Sequence, residues 1–163
     1  INTPTRDRAK KFTFTDDQAK AYNGLIKFIN EPYNPKDFKR ALIGPGGTGK
    51  TFLLKALLQD CNIPFSEIGL SAPSHKACRV LKNSIRGTHC SVNTIQSDFG
   101  FKPNYDIEKF DINNVTFASY GRIKIEDYRL YIVDESSMLN RSLVTYIDKM
   151  MKKYSIKLIL CGK

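Results

Sequence analysis

The eight residues from Gly44 to Thr51 carry the chain's clearest potential for chemistry: Gly-Pro-Gly-Gly-Thr-Gly-Lys-Thr. A glycine, four residues and then Gly-Lys-Thr is the pattern of a loop that holds phosphates. Glycines let backbone N–H groups approach phosphate oxygens, because no side chain stands in the way. Lys50 would contact the β- and γ-phosphates, and the Thr51 hydroxyl would take one position around Mg²⁺. The residues expected at a nucleotide are therefore Pro45, Gly46, Gly47, Thr48, Gly49, Lys50 and Thr51.

The residues on either side of this loop supply the context that the motif requires. The apolar run Ala41-Leu42-Ile43 predicts a strand that enters the loop, and the run from Phe52 to Leu58 predicts a helix that leaves it. Such a helix directs unpaired N–H groups and a partial positive charge toward an anion at its N-terminus. The alternative is a flexible glycine turn without a ligand. All four fixed positions of the motif are filled in this setting, which favours nucleotide binding.

A pair of carboxylates, Asp134 and Glu135, follows the apolar run from Leu130 to Val133. That run predicts a buried strand, whose carboxyl end lies at the rim where open α/β sheets bind ligands. Asp134 would complete the Mg²⁺ shell there, and Glu135 would orient a water for in-line attack on the γ-phosphate. The alternative is a helix start, where acidic residues suit the helix dipole. Together with the glycine loop, the pair favours an enzyme that hydrolyses a nucleoside triphosphate.

The remaining elements follow from apolar spacing and capping residues. Thr15 and Gln18 form the capping box of a first helix, which the prolines of residues 31–35 end. Ser74 predicts the cap of another helix, and an amphipathic helix begins at Asn140. The other predicted strands are Phe38 to Ile43, Ile68 to Ala72, His89 to Val92 and Leu158 to Cys161. Short apolar strands that alternate with helices predict an α/β fold, with a parallel sheet covered by helices on both faces.

Composition sets the broad class of the protein. The 163 residues suit about one domain, and 41% hydrophobic with 26% charged residues is typical of an ordered globular chain. No apolar run approaches the roughly 18 residues of a membrane span. Since Ile1 is not a methionine, we expect a fragment or a processed product. Residues 1–12, which are polar and basic, predict a mobile arm.

The charge balance favours a polyanionic partner. Lys and Arg number 26 against 16 Asp and Glu, a net charge of +10. Residues 69–97 contain no acidic side chain, yet they include Lys76, Arg79, Lys82 and Arg86. A second basic cluster consists of Lys149, Lys152, Lys153 and Lys157. For this second cluster, a solvated helix face is the preferred interpretation.

The four cysteines, Cys61, Cys78, Cys90 and Cys161, have no paired spacing. Cys61 and Cys161 adjoin predicted core elements, which suits reduced thiols in a cytosol-like compartment. A zinc site built from His75, Cys78, His89 and Cys90 would match no familiar spacing.

Three segments together resemble the first motor domain of superfamily-1 helicases, in particular the RecD-like and phage Dda-like 5′→3′ DNA helicases. They are the phosphate loop, Asp134-Glu135-Ser136-Ser137-Met138 and the stretch from Ala72 to Ala77. The resemblance covers about residues 12–163. It implies a RecA-like fold, ATP and Mg²⁺ as cofactors, and hydrolysis coupled to translocation along single-stranded DNA. It also implies a second motor domain outside this chain, a bacterial or phage-infected cytosol, and replication or recombination proteins as partners.

The resemblance further assigns residues to roles. Gln18 would contact the adenine edge, in competition with its capping role. Single-stranded DNA would be held by residues that follow the second and third strands: Pro73, Ser74, His75 and Lys76, then Asn93, Thr94, Ile95 and Gln96. Hydroxyls, amides and a helix N-terminus suit phosphate binding, and the acid-free window agrees with this independently. For His75, an ordinary surface or capping histidine is equally compatible.

Residues 100–127 follow no single period and predict a small inserted subdomain or a hairpin. This insert corresponds in position to the strand-separating wedge of the family. Phe101, Phe110 and Phe117 are candidates for stacking on a base, although a place in a small core is the preferred interpretation for each one individually. Two features depart from the family: Gln96 stands where many relatives have His, and Gly162-Lys163 stands where they have Gly-Asp.

Three other functions remain open at this stage. One is a viral-type superfamily-1 RNA helicase. Another is a phosphate-loop kinase or clamp-loading ATPase, although a kinase would need an acceptor pocket and lid arginines that the sequence does not display. The third is a basic nucleic-acid-binding module with a dormant nucleotide site.

Overall fold

The computed structural model describes residues 14–44 and 49–162. Within these ranges the chain forms one five-stranded sheet in the order β1-β5-β4-β2-β3, and every neighbouring pair is parallel. The strands are β1 Lys39–Ile43, β2 Ile68–Ala72, β3 Ser91–Thr94, β4 Leu130–Val133 and β5 Lys157–Gly162. This confirms the predicted α/β class. The predicted arm at residues 1–12, the loop residues Pro45 to Thr48, and Lys163 lie outside the described residues.

Four of the six α-helices in the described residues begin at a residue whose side chain caps them. The helices are α1 Asp16–Asn30, α2 Lys50–Asp60, α3 His75–Ser84, α4 Ile95–Asp98, α5 Val115–Ala118 and α6 Arg141–Tyr154. The side chains of Ser74 and Asn140 accept hydrogen bonds from the N–H groups of Ala77 and Leu143, which fixes the starts of α3 and α6. No described helix is long and apolar enough to span a membrane.

Alternate residues of the central strands feed two separate cores, one on each face of the sheet. Leu130 and Ile132 of β4 pack against the side of α1, α2 and α3. Tyr131 and Val133 point the other way, toward α6 and the insert. A strand that is buried on both faces needs apolar residues at every position, which explains the uninterrupted run. The expectation of helices on both faces is confirmed.

The insert at residues 100–127 is not a hairpin. A single antiparallel bridge joins Phe101 to Ser119, and the chain between them forms short helical turns and α5. Asp106 and Asp111 cap two of these turns and so interrupt any strand. The rings of Phe101 and Phe110 are buried and stacked 5.4 Å apart, which confirms the preferred interpretation of both as residues of a small core. Phe117 is 68% exposed and stays a candidate.

Lys157 corrects the interpretation of the second basic cluster. Its three partners in that cluster are exposed on α6, as expected, but Lys157 starts β5 and is only 4% exposed. Its Nζ donates to the carbonyls of Phe28, Ile29 and Glu31 at the end of α1, with a distance of 2.9 Å to the Ile29 oxygen. A helix C-terminus leaves such carbonyls unpaired, and a cation there offsets the helix dipole.

Candidate functional site

The two ends of the glycine loop meet the carboxyl end of β5. The Gly44 N–H donates to the Gly162 carbonyl at 3.1 Å, and Lys50 Nζ donates to the same oxygen at 2.6 Å. Gly49 caps α2 with φ +80°, a left-handed conformation that glycine adopts without strain. The strand, loop and helix order that the motif requires is therefore present. Lys50 is held at the loop's base by a neutral carbonyl, which a phosphate would displace as a stronger partner.

Gln18 forms its capping box and also reaches the phosphate loop. Its Oε1 accepts from the Thr15 N–H at 3.0 Å. A Cβ added to Gly49 would lie 2.4 Å from Gln18 Nε2, so the amide sits directly beside the end of the loop. A carbonyl oxygen has two lone pairs, so the capping bond and a contact with a nucleotide base are compatible. A cavity of about 170 Å³ opens here, lined by Gln18, Ile43, Gly44, Gly49, Lys50 and Leu53 among others.

The acidic pair lies at the end of β4, within electrostatic reach of Lys50. The Asp134 N–H donates to the Ser71 carbonyl at 2.8 Å, which fixes the carboxylate at the sheet rim. Burial raises the pKa of Asp134, while the Glu135 N–H and Lys50 act in the opposite direction. Glu135 has φ +54°, an uncommon conformation for a residue with a side chain. Such outliers concentrate at functional sites, and this one turns the chain sharply at the metal end of the site.

The oxygen donors present suit Mg²⁺ bound together with phosphates. Thr51 stands in the first turn of α2 with an exposed side chain, and Asp134 supplies a half-buried carboxylate. No cluster of three or more His, Cys, Asp and Glu side chains occurs in the part of the chain that the structure describes. Mg²⁺ commonly uses one or two protein oxygens, with phosphate and water completing its octahedron. A dedicated protein cage is thus unnecessary for this ion.

A second and larger cavity, of about 440 Å³, opens next to the ends of β2 and β3. Five residues proposed to bind nucleic acid line it: Pro73, Ser74, His75, Thr94 and Gln96. We call this cavity the groove. Lys76 and Asn93 do not line it. Lys76 is exposed on α3, and the Asn93 side chain lies beside Asp98, where it acts on the pKa of that carboxyl.

The insert supplies the opposite wall of the groove, which sequence reasoning missed. The lining residues from this wall include Gly100, Phe101, Asn104, Gly121, Arg122 and Lys124. Lys124 Nζ donates to Ser97 Oγ at 2.9 Å, and Gln96 Nε2 donates to the Tyr105 carbonyl at 3.1 Å. The available signal was local: basic residues next to Tyr120 and Gly121 are typical of nucleic-acid surfaces. The groove therefore has a hydroxyl and amide wall facing a basic one.

A buried carboxyl, Asp98, lies directly behind the groove. It is fully inaccessible and accepts a hydrogen bond from the Tyr131 hydroxyl at 2.8 Å. Burial raises the pKa of Asp98 to about 6, with the side chains of Tyr131 and Asn93 and the charge of Lys124 partly offsetting that rise. Asp98 ends α4, the helix that carries Gln96 into the groove.

Asp98 should therefore make the free energy of unfolding depend on pH. Its pKa is about 6 in the folded chain and near 3.8 in the unfolded chain, so its stabilising contribution is fully present below pH 3.8 and is lost as pH rises through about 6. Each tenfold difference between the two acid dissociation constants corresponds to about 1.4 kcal/mol of stability. Urea unfolding of the unmodified chain and Asp98→Asn, from pH 4 to 7, should give a stability difference that changes across this window. Asp127→Asn, an exposed control, should show no such change; a constant difference for Asp98→Asn would contradict the assignment.

Comparison with known proteins agrees with this geometry. Residues 16–163 match the protein family described as AAA domain. The chain is 27% identical over 164 aligned residues to an uncharacterized protein of Acanthamoeba polyphaga mimivirus, covering 91% of this chain and 32% of that protein. A 76-residue stretch is 38% identical to the ATP-dependent zinc metalloprotease FtsH of Neorickettsia risticii (strain Illinois), covering 38% of this chain and 12% of that protein.

The region that matches the family includes both the glycine loop and the acidic pair. The chain spans about a third of the mimivirus protein and a smaller part of FtsH, so neither relative fixes the activity of a whole protein. The sheet is parallel, and a cavity, here called the nucleotide cavity, lies beside Gln18, Gly49 and Lys50. Together with these features, the match to the family shows to which class of protein the chain belongs. The chain belongs to the AAA domain family of phosphate-loop ATPases.

Proposed function

We propose that this domain is the N-terminal ATPase motor of a 5′→3′ DNA helicase of the RecD-like or Dda-like kind. The observation that carries the proposal is the placement of two cavities on the same rim of one sheet. The smaller one contains Gln18, Gly49 and Lys50, and the groove contains Ser74 and Thr94. A motor needs its hydrolysis site and its track-binding site mechanically connected, and this arrangement provides for that.

The connection runs through two neighbouring strands. The N–H of Asp134, the residue directly after β4, donates to the Ser71 carbonyl on β2. Two residues after Ser71, Pro73 begins the wall of the groove. A shift of the carboxylate when the γ-phosphate leaves would therefore act on Pro73 and Ser74 through one backbone hydrogen bond. The domain's membership of an ATPase family supports the nucleotide half of the proposal, and the motifs support the helicase half.

The roles of the residues follow from their positions. Bound Mg²⁺ would neutralise charge on the β- and γ-phosphates. Lys50 and the loop amides hold the phosphates, Thr51 and Asp134 offer oxygens to the metal, and Glu135 holds the attacking water. The domain alone is expected to bind ATP but hydrolyse it slowly, because transition-state charge on the γ-phosphate calls for an arginine that a second domain would supply.

The test is ATP turnover of the full-length protein without nucleic acid, with single-stranded DNA and with single-stranded RNA. The proposal predicts strong stimulation by DNA, and unwinding of duplexes with a 5′ single-stranded tail in preference to those with a 3′ tail. Equal stimulation by RNA would favour the RNA helicase instead. Nucleic-acid binding without any turnover would favour the dormant module, and turnover indifferent to both polymers would overturn a nucleic-acid motor.

Two histidines provide a matched pair for the groove. His75 lines the groove, whereas His89 is exposed outside its lining and packs near the Phe65 ring. His75→Ala should weaken binding of an oligo-dT strand a few-fold, and His89→Ala should leave it unchanged. Equal effects of the two substitutions would remove His75 from the interface.

A further inference from the structure

Asn140 makes four hydrogen-bond contacts that join the start of α6 to the insert. Its Oδ1 caps α6 by accepting from the Leu143 N–H at 2.7 Å. The two N–H groups of its Nδ2 are shared among three backbone carbonyls of the insert, at 3.2 Å to Ile107, 2.9 Å to Glu108 and 3.2 Å to Phe110. An ordinary cap uses the oxygen alone. The amide nitrogen of Asn140 thus has a separate task, which is to hold the insert.

The segment that Asn140 holds does not line the groove itself but packs against a residue that does. Phe110, whose carbonyl it binds, stacks its ring on Phe101 at 5.4 Å, and Phe101 lines the groove. Both rings also pack on Tyr146 of α6, at 5.2 Å and 6.1 Å. A second anchor lies close by, because Ser142 Oγ accepts from the Ile112 N–H at 2.7 Å. The wall is therefore fastened to the first turn of α6.

On the other side, Asn140 follows the acidic pair closely. Glu135 opens the short turn Ser136–Met138, and Ser136 Oγ fixes that turn by donating to the Cys161 carbonyl at 2.9 Å. Leu139 alone separates the turn from Asn140. The Met138 side chain lines a smaller cavity together with Gln96 and Tyr105, so the turn also borders the groove region. Asn140 therefore follows the turn after Glu135 by two residues and bonds directly to the insert.

The geometry points to Asn140 as a positioning residue that sets the groove's insert wall relative to the acidic turn. This inference rests on the proposed function, because the groove must bind nucleic acid for the positioning to matter. Loss of the bonds to the three carbonyls would let the Phe110 segment drift, which would weaken nucleic-acid binding and leave the nucleotide cavity intact. Asn140 itself touches neither nucleotide nor nucleic acid in this account.

The cap and the anchor can be separated by substitution. Asn140→Ser keeps a capping oxygen but loses the amide donors, whereas Asn140→Ala loses both. We expect both variants to raise the dissociation constant for a fluorescent oligo-dT strand by about fivefold or more, with Mg·ATP affinity within about twofold of the unmodified protein. Ser142→Ala should act in the same direction and more weakly. Thr145→Ala, an exposed hydroxyl on the same helix, should change nothing.

Hydrogen exchange supplies a readout that does not depend on nucleic acid. Amides of residues 107–112 should exchange faster in Asn140→Ser, with those of β1 and β4 unchanged. Wild-type oligo-dT affinity in Asn140→Ser, or equal losses of oligo-dT and Mg·ATP affinity, would overturn the positioning role. A defect confined to Asn140→Ala would assign the effect to the cap and would also overturn it. If the unmodified protein binds no oligo-dT, the proposed function fails instead, and exchange at residues 107–112 still decides whether the anchor exists.

Discussion

Glu135→Gln is expected to lower nucleic-acid-stimulated ATP turnover by about a hundredfold or more, because the amide cannot take up or orient the water's proton as a carboxylate does. Mg·ATP affinity should stay within about twofold, since Lys50, Thr51 and Asp134 remain. The Glu135 backbone has φ +54°, an uncommon conformation for a residue with a side chain. Because this conformation limits the directions in which the side chain can leave the backbone, we expect the carboxylate to have a defined position.

The measurement is steady-state ATP turnover of the full-length protein at saturating single-stranded DNA. Glu31→Gln is a suitable control, because Glu31 lies exposed at the end of α1 and away from the acidic pair. Turnover of Glu135→Gln equal to that of the control would remove Glu135 from the mechanism. It would also revive the interpretation of a domain with a dormant nucleotide site.

Lys50→Ala should have the other large effect, a loss of about a hundredfold in kcat/KM for ATP. A positive charge within the site stabilises the β- and γ-phosphates in both the ground state and the transition state. Lys50 also lowers the pKa of Asp134, so its removal would favour the protonated carboxyl and weaken the metal's protein ligand. The contact with the phosphates accounts for most of the expected loss, because Lys50 is the weakest of the influences on the Asp134 carboxyl.

Lys55→Ala is the matched control for this experiment. Lys55 lies on the same helix, one turn further along, and outside the lining of the nucleotide cavity. Its substitution should leave kcat/KM within about twofold of the unmodified value. If Lys50→Ala and Lys55→Ala behaved alike, the contact between Lys50 and the phosphates would be excluded.

Sequence alone was sufficient where a structure follows from local rules. The central strands Ile68–Ala72 and Leu130–Val133 were predicted to the residue. Leu130–Val133 is the unbroken apolar run that burial on both faces favours, and Ile68–Ala72 combines two large apolar residues with three small ones. The caps at Thr15 and Ser74 were predicted from hydroxyl side chains before apolar periods. The helix predicted from Asn140 onward begins at Arg141, and Asn140 is its cap. Strand β3 was displaced from its predicted range, since its short polar sequence carries little apolar signal.

Sequence was insufficient where a residue's role depends on distant partners. The sequence places Lys157 in a cluster of solvated lysines. Its actual partners are carbonyls at the end of α1, more than a hundred positions away in the chain. Arg122 and Lys124 join the groove only because the insert folds back over α4. The three carbonyls at Asn140 are likewise supplied by residues about thirty positions away. No periodicity encodes such contacts.

The roles assigned to Gln18 show the same division. Its capping bond was predictable from the Thr-x-x-Gln spacing. Its position beside Gly49 depends on how α1 packs against α2, which the spacing does not specify. The nucleotide contact of Gln18 stays a prediction.

Calorimetric titration of ATP into the protein, with Mg²⁺ and with EDTA, tests most directly whether a magnesium triphosphate binds between the glycine loop and the acidic pair. We expect a single saturable site whose affinity for ATP falls without Mg²⁺ and falls by about a hundredfold in Lys50→Ala. Undiminished binding of Mg·ATP to Lys50→Ala, or no binding to the unmodified protein at millimolar ATP, would contradict it.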